Sequence, residues 1–277
     1  MPRAKKSPDK AKSPSKNRAK KTVAAVAAPA STKSSPWKLF KQSLRDYRTN
    51  WRLILKLMLI ITAPVAILSN LGLDTTGDST FSAYLAFAQL CMNVALIYAI
   101  IELLNGRSVS VRQAYYKGSA MLVRLALVTL LLFFMAVFLL ISGVILAYGI
   151  IAPGTQLTAV EQALLAVLAI AIAIPSVVLL IRGVFAIYVL FETEQGPVQA
   201  VRTSRQLTKG RVLVTLGRLL ALVGFLLLLI ILPILILVPL QIATQWIVFT
   251  MLLQAATSLI VLPITNFYLY RYYQGLK

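Results

Sequence analysis

The sequence predicts an all-α membrane protein: a polytopic bundle of six transmembrane helices, with amphipathic helices lying at its cytoplasmic interface. Three observations carry that reading. Of 277 residues, 59% are hydrophobic and only 13% charged, with a mean hydropathy of +0.82. Apolar stretches of the roughly 20 residues needed to cross a bilayer recur along the chain. The charge is also segregated: the net charge is +20, and 16 of the 28 Lys and Arg lie within the first 56 residues.

Residues 1–36 mix Lys, Ala, Ser and Pro, with almost nothing apolar larger than Val. Such a stretch cannot bury enough surface to offset its own ordering, so it reads as a disordered basic tail ahead of a membrane domain over 37–277. A signal peptide is the competing reading, because Val23 to Ala30 is a short apolar run after basic residues. Its Ala-rich run and long basic lead are poor matches. Two Ser-Pro-x-Lys elements begin at Ser7 and Ser13. The tail can bind anionic lipid headgroups or, nonspecifically, the phosphates of nucleic acid. No aromatic residue interleaves its cations, which disfavours stacking recognition of single strands.

The spans are expected at 53–71, 81–104, 121–151, 163–191, 212–238 and 241–270. Pro64, Pro175, Pro233, Pro239 and Pro263 fall in or beside them and predict kinks. Loop charges give the orientation. Asp74 and Asp78 are the only charges between spans one and two, and Glu161 is the only one near the third connection. Arg107, Arg112 and Lys117 follow span two, Arg202, Arg205, Lys209 and Arg211 follow span four, and Arg271 and Lys277 close the chain. Retention of Lys and Arg on the cytoplasmic side then puts both termini inside.

Ahead of span one, Trp37, Phe40, Leu44, Tyr47 and Trp51 recur at helical spacing, with Lys38, Lys41, Arg45, Arg48 and Arg52 one residue later. That pattern predicts a basic amphipathic helix at headgroup level; the simpler alternative is the beginning of span one. Similar segments precede spans three and five. In the second of these, Gly196 suits the N-cap, Pro197 the first helical position and Gly210 the stop, giving a helix over 197–209. Gln113-Ala114 matches Gln199-Ala200, and Leu127 to Leu130 matches Leu213 to Leu216, both at an offset of 86 residues. Three parallel units, each an interfacial helix and a transmembrane hairpin, would account for this.

The run 181–210 resembles the signature of the glycerophosphoryl diester phosphodiesterase membrane-domain family and related six-span bacterial inner-membrane proteins. The residues carrying the likeness are Arg182, Glu192, Gly196, Pro197, Ala200, Ser204, Leu207, Lys209 and Gly210. The resemblance implies a bacterial inner-membrane location and an association with glycerophospholipids. The soluble phosphodiesterase barrel joined to some family members has no counterpart here.

Candidate chemistry is sparse. Histidine is absent and Cys91 is the only cysteine, which removes Ser-His-Asp and Cys-His catalysis and His-based metal sites. The eight acidic residues form no local metal or acid–base pattern, so neither an enzyme nor a cofactor is expected. Arg182 lies about nine residues before the cytoplasmic end of span four, inside hydrocarbon at about 1.5 Å per residue. An ion pair with Glu102 or a lipid-phosphate contact accounts for it, and a substrate gate is the rival. Gln89 with Asn93, and Gln254 with Thr257 or Ser258, suit interhelical hydrogen bonds. Together these features predict a nonenzymatic membrane-organising or scaffold protein that engages anionic lipids. The alternatives are a transporter or lipid translocator, and a tether for nucleic acid or ribosomes.

Overall fold

The computed structural model describes residues 35–70, 79–151, 158–193, 195–244 and 247–277. The tail, apart from its last two residues, lies outside them, as do Asp74, Asp78 and Glu194. So do the side chains of Gln254, Thr257 and Ser258. The described residues form eight helices: α1 (Pro36–Asn70), α2 (Ser79–Leu104), α3 (Val111–Ile151), α4 (Ala159–Gly183), α5 (Ala186–Thr193), α6 (Pro197–Leu207), α7 (Val212–Thr244) and α8 (Ile247–Leu276).

Four stretches among the described residues are long and apolar enough to cross a membrane: Ala83–Leu104, Val111–Tyr148, Val160–Thr193 and Val212–Ile231. Their surfaces match that use. Phe133, Phe134, Phe138, Leu140 and Val144 on α3, and Leu164, Val167 and Ile174 on α4, are all exposed. An apolar face of this extent belongs against hydrocarbon rather than water.

Several boundaries differ from the sequence expectation. No separate amphipathic helix precedes the first span, because α1 runs unbroken from Pro36 to Asn70. Nor does one precede the third, since α3 is a single helix of 41 residues. Neither junction contains a proline or a left-handed glycine, so backbone hydrogen bonding propagates from the amphipathic part into the apolar part. Only the third unit is divided. There α6 is N-capped by Gly196 with Pro197 at its first turn, and Gly210 takes φ +76° before α7 begins, a conformation that a Cβ disfavours. Among the described residues, only the third of the expected units has its leading helix set apart from the apolar helix that follows.

The fourth span is also interrupted: α4 ends at Gly183, and α5 restarts at Ala186. α7 continues past Pro239 to Thr244, so the last connection falls at 245–246, outside the described residues. The beginning of α4 is held by a capping box. The Thr158 N–H donates to Glu161 Oε2 at 2.8 Å, and the Glu161 N–H donates to Thr158 Oγ1 at 3.4 Å. Glu161 is thereby a helix cap as well as a loop charge.

Two joined cores hold the bundle at the end where α2, α5 and α8 finish. One gathers Phe185, Tyr188, Leu190, Tyr268, Tyr270 and Tyr273 with Leu39 and Phe40 of α1. The other packs Ile54, Leu57 and Met58 of α1 against Met92, Leu96 and Ala99 of α2. Gly118 permits the close approach of α3 to α2, since a Cβ there would meet Ala95 Cα at 3.2 Å. Small residues at such crossings let membrane helices pack backbone to backbone.

Candidate functional site

At that same end, the close of α2, the beginning of α3, the close of α5 and Lys277 surround a chamber of about 890 Å³. Its charged lining is Glu102, Arg107, Lys117, Glu192 and Lys277, and Tyr98, Ile101, Met121 and Phe191 add apolar wall. The turn after α2 positions the first pair. The Arg107 N–H closes on the Glu102 carbonyl at 2.9 Å, and Arg107 Nη1 lies 3.2 Å from Glu102 Oε1 and 3.3 Å from Oε2.

Glu192 is the more firmly held carboxylate. The Tyr273 hydroxyl donates to its Oε2 at 2.7 Å, the Tyr270 hydroxyl lies 3.0 Å from its Oε1, and Lys277 forms an ion pair with it. Asn105 Oδ1 is a second neighbour of the Tyr270 hydroxyl, at 3.3 Å. Burial, reinforced by the hydrogen bond and the negative charge of Glu192, raises the pKa of Tyr273, which lies beyond the expected end of the last span. It is therefore a neutral donor at neutral pH. Ring contacts fix these phenols: Tyr270 is tilted against Tyr273 at 5.9 Å and against Tyr188 at 5.6 Å, and Tyr188 stacks on Tyr273 at 6.1 Å.

The resemblance residues divide into two groups. Ser204 is fully buried, and its hydroxyl donates to the Arg182 carbonyl at 2.7 Å. That carbonyl lies in the last turn of α4, where helical partners run out. Ala200 is fully buried on the inner face of α6, whereas Lys209 and Gly210 are exposed. Glu192 belongs to the chamber instead. Arg182 and Glu102 are not brought together, because Glu102 takes Arg107 as its ion-pair partner. A partner five residues away on the turn reaches it without crossing the bundle. Arg182 Nε and Arg205 Nε are buried with no hydrogen-bond acceptor among the described residues.

Arg205 faces a second, smaller cavity of about 320 Å³ between α3 and α6, lined by Leu131, Met135, Val198, Val201, Arg202 and Arg205. Its Nη2 lies 3.9 Å from the Met135 sulfur, a weak acceptor for a charged donor.

The aromatic stripe of α1 faces mainly outward, with Phe40 as its buried member. Trp37 is 49% exposed, and Leu44 and Trp51 are also exposed, whereas Leu39, Phe40 and Ser43 face the core. Tyr47 is half-buried and donates to the Leu259 carbonyl at 3.3 Å. The cations do flank the rings: Lys41 lies 5.3 Å from the Trp37 ring centroid and Arg52 lies 5.8 Å from that of Trp51. Lys38, Arg45 and Arg48 are exposed. Gln89 is exposed and Asn93 half-buried.

Sequence reasoning missed the tyrosines of α8 and Asp46. Their signal was the run Tyr268 to Tyr273, in which four of six residues are tyrosine. Arg271, counted from sequence as a loop charge, is only 2% exposed and forms an ion pair with Asp46. No protein-family model, curated protein or solved structure matches the chain.

Proposed function

We infer that this is a six-span protein of the bacterial inner membrane, with both termini cytoplasmic, which engages anionic phospholipids and acts as a nonenzymatic membrane-organising scaffold. The observation that carries the reading is Arg205. It is a half-buried guanidinium in a largely apolar groove, and among the described residues its buried Nε has no acceptor and its Nη2 contacts only the Met135 thioether as a side-chain hydrogen-bond partner. A cation so placed lacks an anion, and the adjoining bilayer supplies one as phosphate while Leu131, Met135 and Val198 accept the first acyl carbons. Arg202 beside it and Lys209 on the same helix are exposed and add charge. The length of α1 and α8, 35 and 30 residues, supports two spans beyond the four already described. The likeness of 181–210 to the phosphodiesterase membrane domain, and the segregation of Lys and Arg, support the location and orientation.

The test is native mass spectrometry of the full chain released from nanodiscs containing phosphatidylglycerol and phosphatidylcholine. Arg205→Ala should lower phosphatidylglycerol retention about fivefold, the equivalent of about 1 kcal/mol for one cation at the surface. Unchanged retention in a variant with unchanged melting would sink the reading. A transporter is the second reading, favoured by the chamber with its five charged side chains. It predicts retention of a nonlipid metabolite that disappears when Arg182 or Glu192 is altered.

A further inference from the structure

The chamber differs in kind from the Arg205 groove, because it carries both signs of charge. Its carboxylates are the fixed groups and its cations the movable ones. The side chains of Glu102 and Glu192 are 16% and 15% exposed, while those of their partners Arg107 and Lys277 are 70% and 47% exposed. Glu192 is also anchored by two phenol donors, Tyr270 and Tyr273, which do not depend on Lys277. An ion pair with an exposed, rotamer-rich lysine adds little stability, so Lys277 is exchangeable and Glu192 stays in place when it leaves. Lys117, on the opposite wall, joins no ion pair among the described residues. The lining side chains thus set three cations, Arg107, Lys117 and Lys277, against two carboxylates, Glu102 and Glu192.

A ligand that matches this lining has an ammonium group for Glu192 and one anionic charge for Lys117 and Arg107, with an apolar part against Ile101, Met121 and Phe191. The groups that meet Glu192 are all hydrogen-bond donors, so a replacement for Lys277 must carry N–H; a trimethylammonium has none. At about 890 Å³, the chamber falls in the range of small-molecule sites and is ample for a lipid head group.

We propose that this chamber binds a primary aminoalkyl phosphodiester, the head group of an ethanolamine-type phospholipid. Its ammonium displaces Lys277 from Glu192, and its phosphodiester lies against Lys117 and Arg107. The apolar wall and the membrane surroundings favour the lipid as the source over the soluble diester. Lys277 then acts as an internal stand-in for the ligand's amine.

The experiment uses the full chain in nanodiscs of phosphatidylethanolamine, phosphatidylcholine and phosphatidylglycerol with matched acyl chains, and measures retained lipid by native mass spectrometry. The ethanolamine lipid should be retained about tenfold over the choline lipid, the equivalent of one hydrogen bond to a charged group. Glu192→Gln at unchanged melting should reduce that preference, whereas Lys117→Ala should lower retention of the ethanolamine and choline lipids alike, because both carry the phosphodiester it meets. Lys277→Ala should increase it about threefold, by removing an exposed competing ion pair; a purely structural lysine would give no increase. Excess soluble glycerophosphoethanolamine names the source: displacement assigns the site to the free diester as well, and persistence assigns it to the lipid. Equal retention of ethanolamine and choline lipids would overturn the proposal, as would a Lys277→Ala variant with no increase. Arg205→Ala should leave ethanolamine-lipid retention unchanged, so failure here is separable from failure of the anionic-lipid reading.

Discussion

Glu192 is the residue on which most polar contacts of the chamber converge, and its carboxylate is held by Tyr270, Tyr273 and Lys277. The shortest hydroxyl contact, 2.7 Å from Tyr273, joins a neutral donor to a charged acceptor and is of the stronger class. Tyr273→Phe should therefore destabilise the protein by about 1.5 kcal/mol. The ring stack is preserved, and two donors remain at Glu192, which keeps the loss at the low end. Unfolding of the purified protein by titration with dodecyl sulfate in mixed micelles measures it, and an unchanged midpoint would contradict the contact.

Helices α1 and α8 are joined by charge as well as by packing. Arg271 is almost wholly buried and meets Asp46, one helical turn past the buried Ser43 of α1. Removing one member of such a pair strands the other in low dielectric, so Asp46→Ala should cost about 3–5 kcal/mol. The double variant Asp46→Ala with Arg271→Met should regain most of that loss, because the burdensome charge is gone. The same denaturant titration separates the cases: a double variant no better than the single one would mean that the pair is not a buried couple. At α6 the logic is conformational. Gly210 stands at φ +76°, and this turn separates α6 from α7, whereas α1 and α3 run on into apolar sequence.

For the molecule as a whole, the test is which side each turn faces. Within the stretch Val160–Thr193, α4 alone has 25 residues, about 38 Å of helix against a hydrocarbon thickness of about 30 Å. Its two ends should face opposite compartments. In a Cys91→Ala background, Thr158→Cys should react with an impermeant maleimide added from outside intact cells, and Lys209→Cys only after the inner membrane is opened. Labelling of both from one side would show that this stretch does not cross. The exposed phenylalanines of α3 belong to the same scale, since a bilayer is what covers them.

The sequence by itself determined the helical, membrane-embedded class, because apolar length and charge segregation are properties of composition along the chain. It also determined where α6 begins, because Gly196 and Pro197 act on their own backbone, while its end came at Leu207, two residues short of the expected 209. Continuity of α1 and α3 was less legible, since an amphipathic stripe predicts a helix without saying whether it stops before the next apolar run. The chamber was legible only as isolated charges. Glu192 and Tyr273 are 81 residues apart, and Asp46 and Arg271 are 225 apart. No periodicity relates residues at such separations; they meet because α1, α2, α5 and α8 bring their ends to one place. The tertiary structure therefore decided which charges are partners: it gave Glu102 to Arg107 and left Arg205 facing an apolar groove.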